Sequence, residues 1–169
     1  MALFSGNIEN LKTLYITELR RLLSTEEQIT DALPKMIDAA TELRLKEALE
    51  SHLQETEMQA ERLEEVLAQL TDDVSAKKCS VTAALLSAGD SLIKDTRDDM
   101  TRDAGMIAAV QKVEHFEMVS YATACNWARV LGFADQAELL NKSLQEEARA
   151  DQELTSIAIR ANAEATAAA

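Results

Sequence analysis

Residues 112–121 read KVEHFEMVSY, inside a longer stretch whose apolar spacing is that of an amphipathic helix. Helical residues advance by about 100° each, which gives a stripe of Ile107, Val110, Tyr121, Ala124, Cys125, Ala128 and Leu131. Glu114 and Glu117 straddle the centre of that stripe, and His115 lies on its flank. Charged residues are rarely buried unless they are paired or bind metal. The fold therefore turns on whether other helices also place acids on their inner faces.

The chain has one Pro and four Gly in 169 residues, against 47% hydrophobic residues, so little in it stops a helix. Aromatic residues supply only 4%, which leaves a core of Leu, Ile, Val, Met and Ala. The reading is all-α, a single domain over 1–169 with a frayed tail at 162–169. A first helix runs from about Asn7 to Ala40, kinked or restarted at Pro34 because proline removes a donor. A second covers about Leu45 to Leu70, a third about Arg102 to Leu131, and a fourth about Asp135 to Asn162. Gly132 is placed to end the third at its C′ position. Between the second and third, polar TDDVSAKKCS leads into a short helix, VTAALLSAGDSLIKD. Two antiparallel hairpins joined by one long crossover make the ferritin-like form of the four-helix bundle.

A net charge of −13 argues against direct contact with DNA or RNA and against anionic membranes, since both need clustered Lys and Arg. It is compatible with attracting cations. No apolar run approaches the roughly 18 residues of a membrane span. MALFSGNIEN lacks the basic and apolar regions of a secretory signal, and Cys79 and Cys125 fit no pairing or ligand motif. Two reduced structural thiols and a cytoplasmic location are the expectation.

The other helices repeat the pattern of the third. Glu26 interrupts the first stripe (Tyr15, Leu19, Leu22, Ile29, Leu33), whereas Glu27 turns toward the rim. His52, Glu55 and Gln59 interrupt the second stripe (Leu45, Leu49, Leu63, Val66), with Glu55 nearer its edge. Glu147 and Asp151 are central in the fourth (Ala137, Leu140, Leu154, Ala161), and Glu146 turns outward. Counted from the hairpin turns at about 1.5 Å per residue, the acids meet at one level. A single inward Glu is more often a bundle-edge or interface residue than a ligand, but four helices agree here. No Lys or Arg occupies these stripes at that level, so repulsion and desolvation must be relieved otherwise. A pair of divalent or trivalent cations is the natural compensation. The candidate metal ligands are Glu26, Glu55, Glu114, Glu117, Glu147 and Asp151. His52, Gln59, His115 and Tyr121 are weaker or supporting candidates; Tyr121 either fills the core or hydrogen-bonds a ligand carboxylate. Trp127, on the far face of its helix, reads as packing.

STEEQITDALPKM (24–36), ESHLQETEMQAERLE (50–64), AAVQKVEHFEMVSYATA (108–124) and SLQEEARADQEL (143–154) resemble the corresponding stretches of the bacterial YciE/YciF-type ferritin-like protein family. The resemblance runs from about Leu11 to Ala158. It implies a ferritin-like bundle, a homodimer, a stress-associated role and a centre of two metal ions, with iron the first choice and manganese the second. It also matches the six acidic positions above. The wider ferritin-like pattern carries Glu-x-x-His on two helices. Here Met58 follows Glu55 and Ala150 follows Glu147 at that spacing, while His52 precedes Glu55 and Asp151 follows Glu147 by one turn. Such an oxygen-rich set favours Mn²⁺, Fe³⁺ or Mg²⁺. The expected function is a dinuclear metal protein that oxidises iron or handles peroxide. The alternative is a non-enzymatic helical dimer, a structural or interaction module with its core acids protonated or water-bridged.

Overall fold

A computed structural model describes residues 8–167 and shows five helices: α1 (Leu11–Ala39), α2 (Leu43–Ala68), α3 (Ser80–Asp95), α4 (Asp99–Val130) and α5 (Ala134–Ala167). Local chemistry sets most of the ends. Asn10 and Thr13 form a reciprocal capping box at α1, at 3.0 and 3.1 Å. The carboxylates of Glu42 and Asp98 accept from Leu45 N and Thr101 N at the starts of α2 and α4, at 2.6 and 2.7 Å. Gly132, at φ 81°, ends α4 as expected. Phe133 N donates to Ala128 O and Gly132 N to Arg129 O, the paired bonds of a Schellman turn.

The boundaries differ from the sequence reading in three places. The expected start at Asn7 lies outside the described residues, and α1 begins at Leu11. Pro34 does not restart the helix, which continues to Ala39. Its ring sits on the exposed face, where solvent can serve the carbonyl that loses its donor. α5 continues past Asn162 to Ala167, since alanine has the highest helix propensity.

The four long helices close into a ring in which α1 neighbours α2 and α4, and α5 neighbours α4 and α2. α3, the crossover helix, lies outside the ring against α4 and the middle of α1. This is the bundle with one long crossover that the sequence indicated.

One buried acid escaped that reading. Asp103 of α4, 1% exposed, clamps the tight turn between α1 and α2. Its carboxylate accepts from Thr41 N (3.1 Å), the Thr41 hydroxyl (2.6 Å) and Glu42 N (2.7 Å). Removing it leaves Glu42 N unserved in the interior and takes from Thr41 the partner that fixes the turn. Asp103→Ala should cost about 3 kcal/mol, or about 9 °C in melting temperature at this chain length. Thermal denaturation followed by circular dichroism checks this; an unchanged midpoint would show that the turn holds without the clamp.

Candidate metal centre

The apolar interior is not continuous. One cluster, near the α4–α5 turn, contains Tyr15, Leu19, Leu63, Leu67, Ala124 and Leu140. Another, near the α1–α2 turn, contains Ile29, Leu33, Leu49, Met106, Val110 and Leu154. Between them every long helix contributes polar groups. Glu26 comes from α1, His52, Thr56 and Gln59 from one face of α2, Glu114 and Glu117 from adjacent turns of α4, and Glu147 from α5. The four glutamates are all 0% exposed and His52 is 5% exposed.

His52 Nε2 lies 3.1 Å from Glu114 Oε1, close enough to pair charge, though neither atom has a well-aligned hydrogen-bond partner. One ligand atom each from His52, Glu114, Glu117 and Glu147 falls within 4.8 Å of all the others. The Tyr121 hydroxyl donates to Glu26 Oε1 at 2.5 Å. Glu26 Oε2 and both carboxylate oxygens of Glu114, Glu117 and Glu147 are buried without a fixed donor. Buried polar groups in that condition are costly, and ionised ones far more so.

The electrostatics register the crowding. Burial pushes Glu26 up to about 7, with Tyr121 partly opposing it. Burial, then the neighbouring Glu26, Glu147 and Glu114, drives Glu117 well above the usual carboxylate range. Glu147 is driven up likewise, by burial and then by Glu114. Burial also works against ionised Glu114, but His52 beside it outweighs that and holds it below its ordinary value. His52 shows the reciprocal effect: burial lowers it, while Glu114 and then Glu26 and Glu55 bring it above the ordinary histidine value. The site thus sets His52 against Glu114, each favouring the other's charged form, while burial and mutual repulsion favour the protonated forms of Glu26, Glu117 and Glu147 when no cation is present.

Two of the acidic candidates sit at the rim. Glu55 is paired with Arg149 at 2.5 Å, and Asp151 faces His115 at 3.2 Å and accepts from Gln111 Nε2 at 2.9 Å. Gln59 lies in the buried layer, whereas His115 is 67% exposed. Glu146 corrects the sequence reading. It does not face solvent but is 7% exposed, held by Arg62 Nη1 and Nη2 at 2.5 and 2.8 Å and by Gln59 Nε2 at 3.2 Å. The layer therefore does have a cation at its edge, Arg62, and that cation is committed to Glu146. Burial raises Glu146, but Arg62 and Gln59 hold it below the usual range. α5 abuts α2 on this side, which turns a helix-rim position into an interior one.

His52 proves more central than its ranking as a supporting residue. The signal was available: His52, Thr56 and Gln59 recur at i, i+4 and i+7, so the imidazole shares the inner face of α2. As a donor set, one imidazole nitrogen and several unserved carboxylate oxygens suit a divalent first-row metal. The excess of buried negative charge supplies the reason to bind one. By chemistry and proximity the residues fit a metal centre.

A protein-family model described as a domain of unknown function (DUF892) matches residues 10–168. The chain is 36% identical over 154 residues to protein YciF of Escherichia coli K12, covering 90% of this chain and 93% of that one. The solved structure of that E. coli stress protein superposes with a TM-score of 0.86 at 35% identity, over 90% of this chain and 97% of the other. YcfI of Rhodopseudomonas palustris gives 0.87 at 37% identity, over 90% and 98%. A two-domain protein of Anabaena variabilis with DJ-1/ThiJ/PfpI-like and ferritin-like domains matches with a TM-score of 0.60 at 16% identity, over 90% of this chain and 38% of that one. At that distance the likeness concerns the fold alone, and the fold is ferritin-like.

Proposed function

The chain belongs to the DUF892 family, and from that premise we propose that it is a ferritin-like metal-binding protein of the bacterial stress response, with its centre in the buried layer between the two apolar clusters. The observation that carries the reading is the group of His52, Glu114, Glu117 and Glu147, whose ligand atoms converge within 4.8 Å while their carboxylate oxygens lack donors. Glu26 adjoins Glu117 and is the natural ligand for a second ion, with the Tyr121 hydroxyl orienting its carboxylate. Glu55 and Asp151 would complete the proposed set, for which each would give up a rim contact of small worth, with Arg149 and with His115.

Iron is the first choice of metal and manganese the second, because the donors are mostly hard oxygens with a single imidazole. A redox-active ion would supply one-electron chemistry toward oxygen or peroxide. The chain's own residues would hold the ion, exclude bulk water from it and retain a proton at the Tyr121 phenol, which burial and then Glu26 keep firmly protonated. The relative named as a stress protein motivates the proposed stress role. A homodimer in the cytoplasm completes the proposal, and no described helix is long and apolar enough to cross a membrane.

A second reading is favoured by the same acids: protonated Glu26, Glu117 and Glu147 can neutralise the layer with no metal. The family would then supply a structural or interaction module. Elemental analysis of native protein, with sedimentation equilibrium for its assembly, separates the two. The expected result is near-stoichiometric iron or manganese that a Glu114→Gln, Glu147→Gln double variant loses. A folded double variant with unchanged metal content would sink the assignment, and metal-free native protein that takes up neither ion would favour the module.

A further inference from the structure

α3 is packed in an unusual way for a helix so rich in apolar residues. Of its sixteen residues only Thr82 and Gly89 are buried, while Leu85, Leu86 and Ile93 remain partly exposed. Two points hold it down. The Thr82 hydroxyl pairs with that of Thr25 on α1 at 2.8 Å. Gly89 permits a close crossing of α4, where an added Cβ would stand 3.1 Å from that of Ala109. Beyond Thr82, α3 does not close onto α1. The space left between α1, α3 and α4 is a cavity of about 620 Å³, within the roughly 300–1,000 Å³ range of small-ligand sites.

The walls and the mouth differ in character. Ile29, Leu33 and Met36 line the α1 side, and Val110 and Val113 the α4 side, facing the leucines of α3. The mouth carries Lys35, Lys94 and Asp90. Asp90 is spent on Lys94 at 2.6 Å, whereas Lys35 is exposed and makes no ion pair among the described residues. The entrance therefore has one cation to spare on a molecule that is otherwise strongly acidic. At the inner end the cavity reaches His52 and Glu114.

We propose that this cavity is a binding site for a monoanionic amphiphile of the fatty-acid class, with its carboxylate at Lys35 and its hydrocarbon chain under α3. Apolar walls sequester the chain, and the unpaired Lys35 selects the sign of the headgroup. The bound chain then covers the surface of Leu85, Leu86 and Ile93 that their packing against the Ile29, Leu33 and Val110 cluster leaves open. The cavity's inner end reaches His52 and Glu114, so the site adjoins the candidate centre without using any of its carboxylates as a headgroup partner. Binding does not require metal, and its success or failure is separate from that of the metal assignment.

The test is isothermal titration calorimetry of dodecanoate into the full-length, metal-free chain, with dodecyltrimethylammonium as the probe of opposite charge. One dodecanoate per chain is expected, with the cationic probe binding more weakly. Lys35→Glu, an exposed change that leaves the core untouched, should weaken dodecanoate by about fivefold and strengthen the cationic probe. Ala32→Phe, which projects a ring into the cavity from α1, should weaken both by about tenfold or more. Absence of saturable uptake overturns the proposal, as does uptake that neither substitution alters. If either substitution instead splits an oligomer of the unsubstituted chain in sedimentation equilibrium, the groove belongs to a second copy and the proposal falls.

Discussion

Glu117→Gln should make the metal-free protein more stable and metal binding much weaker, two effects of opposite sign from one isosteric change. Glu117 is 0% exposed, both its oxygens lack a fixed donor, and burial followed by Glu26, Glu147 and Glu114 opposes its ionisation. An amide of the same shape carries no charge to desolvate, and its NH₂ group can donate to a neighbouring carboxylate. At neutral pH the unfolded chain releases the Glu117 proton that the fold must keep, and an amide avoids that cost together with the repulsion, a gain of about 2 kcal/mol. For this length of chain that raises the melting temperature of the chelated protein by about 6 °C. The same substitution removes an anionic ligand from the group within 4.8 Å, so the stabilisation that added Mn²⁺ or Fe²⁺ gives the native chain should shrink sharply. Differential scanning calorimetry with chelator and with metal reads both effects. A variant less stable than the parent without metal would show that Glu117 serves the fold rather than burdens it.

The bundle was readable because its evidence is periodic. The stripes through Leu19 and Leu22, Leu45 and Leu49, Ile107 and Val110, and Leu140 and Leu154 identify the inner faces of four helices, and Gly132 marks a hairpin turn. All of these residues are buried, and Gly132 takes the positive φ that the turn requires. Glu26, Glu114, Glu117 and Glu147 were legible for the same reason, since they share the centres of those stripes. Periodicity gives the direction of a side chain within its own helix but not the identity of what it meets. Asp151 was indistinguishable from the buried acids by angle, and Glu55 differed only in lying nearer the edge of its stripe, yet each finds a basic partner, His115 or Arg149, at the rim. Glu146 and Arg62 lie on helices far apart in sequence, and only the approach of α5 to α2 makes them a buried pair. Asp103 has no sequence signature because its partners are backbone N–H groups and one hydroxyl across the bundle. The cavity under α3 was hidden for a similar reason: VTAALLSAGDSLIKD marks a short crossover helix but not how closely Leu85, Leu86 and Ile93 approach α1.

The metal-free protein should be most stable near pH 5 and lose stability steadily toward pH 8, while the stabilisation conferred by metal should grow over the same interval. Glu26 carries the first part. Its ordinary value is 4.5, and burial raises it to about 7 in the folded chain. Between those values the native state keeps a proton that the unfolded state has released, so unfolding becomes easier as the pH rises. That contribution is complete below about pH 4.5 and lost as pH passes about 7, and it amounts to about 3 kcal/mol. Glu117 and Glu147, raised further by burial and by the acids around them, act in the same direction and extend the decline upward. His52 does too: its folded value is raised by Glu114 against the effect of burial, so its contribution fades as it deprotonates. Glu114 and Glu146 are lowered instead, by His52 and by Arg62 respectively, and their contributions disappear only on the acid side, below the ordinary carboxylate value. Metal ligation requires these carboxylates to be ionised, which makes binding tighter as pH rises and gives the loaded protein the opposite slope. General repulsion in a chain of net charge −13 also grows with pH, so Glu26→Gln is the control. Melting temperatures from pH 5 to 8 should fall less steeply in that variant, whose amide still accepts from Tyr121 without titrating. A native profile that is flat or rising without metal, or one that Glu26→Gln leaves unchanged, would mean that the buried acids do not hold their protons and that the layer is neutralised by other means.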